Sequence, residues 1–173
     1  MAADETTFYI EAARAYIGTL ARTNLFMFEI GQVPGGLGQP EDVLFFAETA
    51  VIPGTTTEEI TVPWMNSNYK YVGPTTYGQF DIQFRVNEDY TTLDMIQAWH
   101  SFVYDPTTGI VGLPSDYQCD GLVSVLTFQG EVARQYQFIG MFPTNVPDIN
   151  LAREGGGNMV MPVTFSYQYW LPV

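Results

Sequence analysis

The chain has 173 residues and a mass of 19.4 kDa, which suits one domain. Hydrophobic residues make up 46% and charged residues 14%, which excludes a disordered acidic tail, because such tails are poor in apolar groups and crowded with charge. Six basic against nineteen acidic residues give a net charge of −13, which excludes a protein that grips nucleic acid through its phosphates or binds an anionic membrane surface.

The acidic start, Met1-Ala2-Ala3-Asp4-Glu5, lacks the apolar stretch of a signal peptide. Over residues 4–23, Ile10, Ala13, Ile17, Leu20 and Ala21 recur at spacings of three and four, a helical pattern weakened by Gly18, so a short helix or an ordered arm is expected. Leu25 to Ile30 reads as a first strand, with Phe26 and Phe28 on one face and Leu25 and Met27 on the other. Gly31 to Glu41 is a loop, punctuated by Pro34-Gly35-Gly36-Leu37-Gly38 and Pro40. Val43 to Ile52 is apolar and expected to be a strand, stopped by Pro53-Gly54. Thr55 to Val62, rich in Thr and carrying Glu58 and Glu59, suits an exposed strand that Pro63-Trp64 interrupts. Tyr69 to Val72 is a further fragment, ended by Gly73-Pro74.

Gln79 to Val86 shows the cleanest alternation. Phe80, Ile82, Phe84 and Val86 face one way and Gln79, Asp81, Gln83 and Arg85 the other, as in a half-buried strand with one polar surface. A helix follows over about residues 88–104. Asn87 or Asp89 is placed to accept from its free N–H groups, and Leu93, Ile96, Trp99 and Phe102/Val103 form its apolar stripe. Asp105-Pro106 ends it, and Thr107 to Gly121 reads as loop. Leu122 to Phe128 and Arg134 to Phe142 are strands on either side of Gln129-Gly130-Glu131. Pro143, Pro147 and Gly155-Gly156-Gly157-Asn158 mark turns, and Met159 to Trp170 is a last long strand with Val163, Phe165, Tyr167 and Tyr169 on one face. Aromatic residues reach 15%, which favours strands. Strands around a single helix predict a mainly β fold, an antiparallel sandwich or barrel with the helix packed on it. No apolar run approaches the ~18 residues needed to cross a bilayer.

Reactive constellations are hard to find. His100 lies beside Trp99 with no matching nucleophile or carboxylate motif, so a surface or rim histidine is the plainer reading. Cys119, the single cysteine, allows no intrachain disulfide and no cysteine-based zinc cage, and the acids of Asp116-Tyr117-Gln118-Cys119-Asp120 should raise its thiol pKa. The glycine stretches at 35–38 and 155–157 lack the Gly-Lys-Ser/Thr ending of a phosphate loop and are turn glycines. Of the paired acids, Glu88-Asp89 is explained by the helix start; Glu41-Asp42 and Glu58-Glu59 spell no calcium loop. What the chain has in excess is aromatic strand surface and unpaired negative charge, which points to self-association.

Several segments together carry a resemblance. Ala21-Arg22-Thr23-Asn24-Leu25-Phe26 leads into the first strand. Val51-Ile52-Pro53 precedes Glu59-Ile60-Thr61-Val62-Pro63-Trp64-Met65-Asn66, and Tyr71-Val72-Gly73 precedes the alternating strand. Asn87-Glu88 opens the helix that carries Ile96-Gln97-Ala98-Trp99. Then come Gly140-Met141-Phe142-Pro143-Thr144-Asn145-Val146 and the closing Val163-Thr164-Phe165-Ser166-Tyr167-Gln168-Tyr169-Trp170. In this order and spacing, from about residue 12 to residue 170, they resemble the tail tube protein of contractile-tailed bacteriophages.

The resemblance implies a structural protein, not an enzyme, that needs no cofactor and no metal. One domain over residues 1–173 would carry an N-terminal arm at about 1–23 and an extended loop or hairpin at about 53–73. Six copies would form a homo-hexameric ring, with strands pairing between neighbours so that no edge is left open. Rings would stack into a hollow tube inside a contractile sheath, with baseplate and tail terminator proteins at the ends, in a phage tail assembled in the host cytoplasm and without membrane insertion. Contacts between rings would come from the early hairpin together with the N- and C-terminal segments, with Glu58, Glu59, Trp64 and Tyr69 as candidates. Twenty-four strands at about 4.8 Å spacing and a tilt near 40° give a backbone diameter of roughly 48 Å and a bore of roughly 35–40 Å, wide enough for duplex DNA. A ring carries six times −13, or −78, so DNA would pass without specific binding. Gln79, Asp81, Gln83, Gln129 and Glu131 are the candidates for the lining. Alternatives are the inner tube of a phage-derived contractile injection system, a bacteriocin or protein-delivery particle, and a monomeric ligand-binding β-barrel.

Overall fold

Strand patterning dominates the computed structural model, which describes residues 23–31, 47–146 and 157–173. The strands are β1 (Phe26–Ile30), β2 (Ala47–Ala50), β3 (Thr55–Trp64), β4 (Ser67–Tyr77), β5 (Phe80–Arg85), β6 (Cys119–Leu126), β7 (Val132–Asn145), β8 (Val160–Ser166) and β9 (Tyr169–Pro172). Two helices, α1 (Thr91–Val103) and α2 (Pro114–Tyr117), lie between β5 and β6. Seven strands form one antiparallel sheet in the order β1-β6-β7-β8-β5-β2, with β9 also on β7; β3 and β4 form a separate two-stranded hairpin.

The sheet folds back on itself because β7 serves two layers. Its first part pairs with β6 and β9, and its last residues pair with β8. The change of partner falls at Gly140, whose φ of 63° and close approach to Gln168 suit glycine alone. The two layers meet through aromatic rings. Phe28 of β1 lies 5.8 Å from Phe80 of β5 and 6.2 Å from Phe165 of β8, and Phe80 stacks on Phe138 of β7 at 4.2 Å. Along β5 the inward Phe80, Ile82 and Phe84 stand opposite Phe165, Val163 and Met161, all fully or almost fully buried. Each such side chain contributes about 1.5–3 kcal/mol of burial. The helix α1 closes the core with Thr92, Leu93, Met95, Ile96 and Trp99, and the Trp99 ring lies 5.7 Å from Phe165 while its Nε1 donates to the Tyr117 carbonyl at 2.7 Å.

Several expectations need correction. Neither Asn87 nor Asp89 caps α1. Tyr90 holds the cap position in a left-handed conformation, φ 57°, and the Asn87 amide instead donates to the Thr91 hydroxyl at 2.6 Å. Met95 belongs to the buried stripe and Phe102 is exposed. Pro63 does not interrupt β3, because β3 pairs with β4 alone and the missing N–H falls on its open side. Gly73-Pro74 likewise lies inside β4, at a bulge, where a Cβ on Gly73 would stand 2.9 Å from the Glu58 carbonyl oxygen. Pro143 lies within β7, also beside a register shift. The stretch read as loop from Thr107 contains α2 and the first residues of β6. The final strand is two strands: the break at Tyr167-Gln168 leaves Tyr169 exposed and turns Trp170 towards the core. Of the strand expected from Val43 to Ile52, β2 covers Ala47–Ala50. The expected N-terminal helix, the loop from residue 32, Pro147 and the turn glycines at 155–156 lie outside the described residues.

Candidate assembly surfaces

The hairpin is the least buried part of the described chain. Every residue of β3 is exposed, and so is every residue of β4 except Gly73. Its two faces differ in chemistry. The pairs Ile60↔Tyr71, Val62↔Tyr69 and Trp64↔Ser67 put Ile60, Val62, Trp64, Tyr69 and Tyr71 on one face. The other face carries Glu59↔Val72, Thr61↔Lys70 and Thr57↔Thr75, tied by a Lys70–Glu59 ion pair at 3.0 Å and a Thr57–Thr75 hydroxyl contact at 3.1 Å. Alternation therefore separates the neighbours Glu58 and Glu59. Glu58 shares the apolar face with Trp64 and Tyr69, and Glu59 is spent on Lys70 across the hairpin. The tip adds a residue that the sequence reading missed. Met65 is 94% exposed, and it holds φ at 52° at a turn position where glycine or asparagine is usual.

A second surface is the outer face of β5 and β8. Asp81, Gln83 and Arg85 alternate outward with the buried residues between them, and Gln79 is exposed just before the strand. Asp81 accepts from the Thr164 hydroxyl at 2.7 Å, which fixes the carboxylate on the face. Arg85 brings a cation there. Glu48, the bulged residue of the neighbouring β2, takes it at 2.9 Å. That hydrogen bond, with the opposite charge behind it, lowers the Glu48 pKa and raises that of Arg85. All three cations among the described residues are engaged: Lys70 by Glu59, Arg85 by Glu48, and Arg134 over the Tyr136 ring at 5.3 Å.

Gln129 and Glu131 do not join this face. They are exposed on the β6–β7 turn, where the Glu131 N–H donates to the Thr127 hydroxyl at 3.1 Å. The register puts Asp81 opposite Thr164 and Thr164 opposite Asn145, at the far end of the 14-residue β7.

His100 lines an open groove with Gln97, Ser101, Tyr104, Pro106, Thr144, Asn145 and Val146, and the Ser101 hydroxyl donates to the Ala98 carbonyl at 2.6 Å. Burial, with the Asp120 charge second, pushes the Cys119 thiol up to about 12; the sequence expectation had named the acids alone. Among the described residues, no group of three or more His, Cys, Asp and Glu is placed to hold a metal ion, and no helix is long and apolar enough to cross a membrane.

Finally, β1 and β2 terminate the two ends of the sheet, and among the described residues each pairs on one side. Sheet edges open among the described residues at β1, β2 and β9, an exposed apolar hairpin and a polar outer face with neutralised cations are the features of a structural subunit rather than of a reactive centre. Residues 12–172 match the phage tail tube protein family, and the chain belongs to that family as a structural tail tube protein. Its fold is similar to that of a chain in the sheath–tube complex of an extracellular contractile injection system, PVC, in the extended state, with a TM-score of 0.69 and 12% identity over 93% of this chain and 96% of that one. A chain of the PVC sheath/tube terminator in the extended state gives a TM-score of 0.68 at 13% identity, over 89% and 96%. One of the anti-feeding prophage cap, which terminates the tube, gives 0.65 at 14%, over 89% and 91%. No curated protein matches the chain.

Proposed function

We propose that six copies of this chain close into a ring, that rings stack into a hollow tube inside a contractile sheath, and that the tube conducts DNA into a host cell. The particle is a phage tail, assembled in the host cytoplasm and bounded by baseplate and terminator proteins, and the chain works without catalysis or cofactor. One observation carries this reading: the apolar face formed by Ile60, Val62, Trp64, Tyr69 and Tyr71 stands exposed on a hairpin whose strands β3 and β4 pair only with each other among the described residues. An isolated two-stranded hairpin is marginal in water, so a partner must cover it. The repeating partner is the adjacent ring. The edges β1 and β2 suit pairing with neighbours in the same ring, which would close both ends of the β1-β6-β7-β8-β5-β2 path.

The outer face of β5 supplies the lining. Gln79, Asp81 and Gln83 offer amides and a carboxylate, and Arg85 is masked by Glu48. Adhesion of a duplex needs cations opposite its phosphates, and among the described residues this face presents none unpaired. Gln129 and Glu131, out on their turn, suit a ring end better than the wall. Electron microscopy of the native assembly tests the reading: a hollow tube of six-fold rings is expected, and solitary subunits in the mature particle would overturn it. A second reading, consistent with the same fold, is the inner tube of a phage-derived contractile injection system, in which the cargo would be protein. A capsid and a terminase gene beside this one would select DNA.

A further inference from the structure

The hairpin meets the body at a pivot made of two glycine-containing links, Pro53-Gly54 before β3 and Gly78-Gln79 after β4. Backbone joins the links to each other, with the Gly78 N–H donating to the Gly54 carbonyl at 3.2 Å. A Cβ on Gly54 would meet nothing within 4 Å, whereas Pro53 beside it is buried and a Cβ on Gly78 would stand 3.4 Å from the Pro53 Cβ, so the links touch each other through Pro53 and leave Gly54 the open position. The body supplies one side-chain hydrogen bond to the pivot among the described residues: the Tyr167 hydroxyl donates to the Gly78 carbonyl at 2.8 Å from 89 positions further along the chain.

Tyr167 is itself held firmly. Its ring stands edge-on to the fully buried Phe138 at 5.1 Å and edge-on to Tyr77, the last residue of β4, at 6.1 Å. It sits at the junction where β8 gives way to β9, beside a cavity of about 170 Å³ lined also by Gly78, Gln79, Thr144 and Ser166. That space leaves the pivot room to move when the hydroxyl lets go. Burial, with Tyr77 second, pushes the phenol up to about 12, so it stays an O–H donor at neutral pH.

We propose that Tyr167 is a positioning residue whose hydroxyl latches the pivot, so that the hairpin leaves the subunit at one angle and reaches the adjacent copy already aimed. The docking half of this statement rests on the reading of the hairpin given above; the latch itself does not. The lever is long. A ten-residue strand spans ~33 Å, so a tilt of about 10° at the root displaces the tip by about 6 Å, more than the ~4 Å over which apolar contact survives. An arm held at one angle does not have to give up that freedom on docking.

The test uses the unassembled full-length chain with Cys119→Ser, spin-labelled at Asn66→Cys on the hairpin tip and Gln97→Cys on α1. Tyr167→Phe keeps both ring contacts and deletes the hydroxyl alone; Tyr77→Phe is the matched control, because only its ring touches Tyr167. The distance distribution is expected to widen about two-fold in Tyr167→Phe, as a segment released from a local hold does, and to keep its original width in Tyr77→Phe. Unchanged width in Tyr167→Phe overturns the latch. Equal widening in both variants overturns it too, since the ring pair would then set the angle. Tube growth from Tyr167→Phe subunits is the separate readout: slower growth alongside a wider distribution supports the aimed arm. A wider distribution with growth at the original rate leaves the latch standing and overturns the docking of the hairpin.

Discussion

The sandwich body and the hairpin are made of the same material and have opposite fates. In β5 the alternation of Phe80, Ile82 and Phe84 with Asp81, Gln83 and Arg85 delivers an apolar face that meets β8 in register and Phe28 across the layers. In β3 and β4 the alternation of Ile60, Val62 and Trp64 with Glu59, Thr61 and Pro63 delivers an apolar face just as regular, and Val62 remains 43% exposed, Tyr71 60% and Trp64 62%. A period of two says that a face is to be buried; it does not say whether the burying surface lies in the same chain. The body buries its aromatic surface within the subunit, and the hairpin leaves its own exposed, the surface that the proposed tube would cover.

Two tryptophan truncations separate these roles most sharply. Trp99 is fully buried against Phe165 and hydrogen-bonded to Tyr117, so Trp99→Ala is expected to cost about 3–5 kcal/mol in urea unfolding, from lost burial and the cavity left behind. Trp64 touches no core residue, so Trp64→Ala is expected to change unfolding by less than ~0.5 kcal/mol, as exposed positions do, and to stop tube growth. Comparable destabilisation by the two would mean that the hairpin face is buried within its own subunit.

The outer face of β5 offers a subtler contrast, between a cation that is masked and the same cation laid bare. Glu48→Ala leaves Arg85 unpaired, six times per ring in the proposed tube. Genome ejection is then expected to slow several-fold at low salt and to recover at high salt, because phosphate contacts are released counterion by counterion. Adding Arg85→Gln to Glu48→Ala is expected to restore the rate. Ejection that ignores both changes would place this face away from the channel.

Much of this was legible in advance, and the failures have physical causes. The polar stripe of β5 and the helix stripe at Leu93, Ile96 and Trp99 follow from periodicity alone, which is strongest where one face is buried. The Glu48–Arg85 pair was not legible, because it joins residues 37 apart across strands whose register no local pattern specifies. Pro63 and Gly73-Pro74 were misread as stops because the rule that proline ends a strand assumes that the strand is flanked on both sides. The pair Glu58-Glu59 looked like one acidic feature because a one-dimensional reading does not show that neighbours in a strand face opposite ways. Gln129 and Glu131 share their chemistry with Asp81, and no local pattern shows that they fall on a turn and Asp81 on a strand face.

Cys119 gives a smaller test of the body. Its thiol, ordinarily near 9.0, is pushed up to about 12 by burial and by Asp120. The fold thus favours the neutral thiol. This contribution to stability is complete below pH 9, where the unfolded thiol is also neutral, and is lost as pH rises from 9 towards 12. At pH 8 an aromatic disulfide reagent is expected to label native Cys119 far more slowly than the urea-unfolded chain. Equal rates would show that the β6 end of the body opens freely.

The smallest effect belongs to the hairpin tip, where stability and assembly are expected to move in opposite directions. Met65 holds a positive φ that glycine adopts without penalty, and its side chain is almost wholly in solvent. Met65→Gly should therefore steady the hairpin by up to ~1 kcal/mol, a gain reduced by the greater freedom of glycine in the unfolded chain. That gain is read as slower amide exchange along β3 and β4, whose residues are almost all exposed and pair only with each other among the described residues. Nothing among the described residues explains a methionine in a strained turn, whereas in the proposed tube an adjacent copy would give it an apolar surface to occupy. Tube growth is accordingly expected to weaken as exchange slows. Slower exchange with tube growth undiminished would show that the tip projects into solvent even in the assembly, and would confine the docking face to Ile60, Val62, Trp64, Tyr69 and Tyr71.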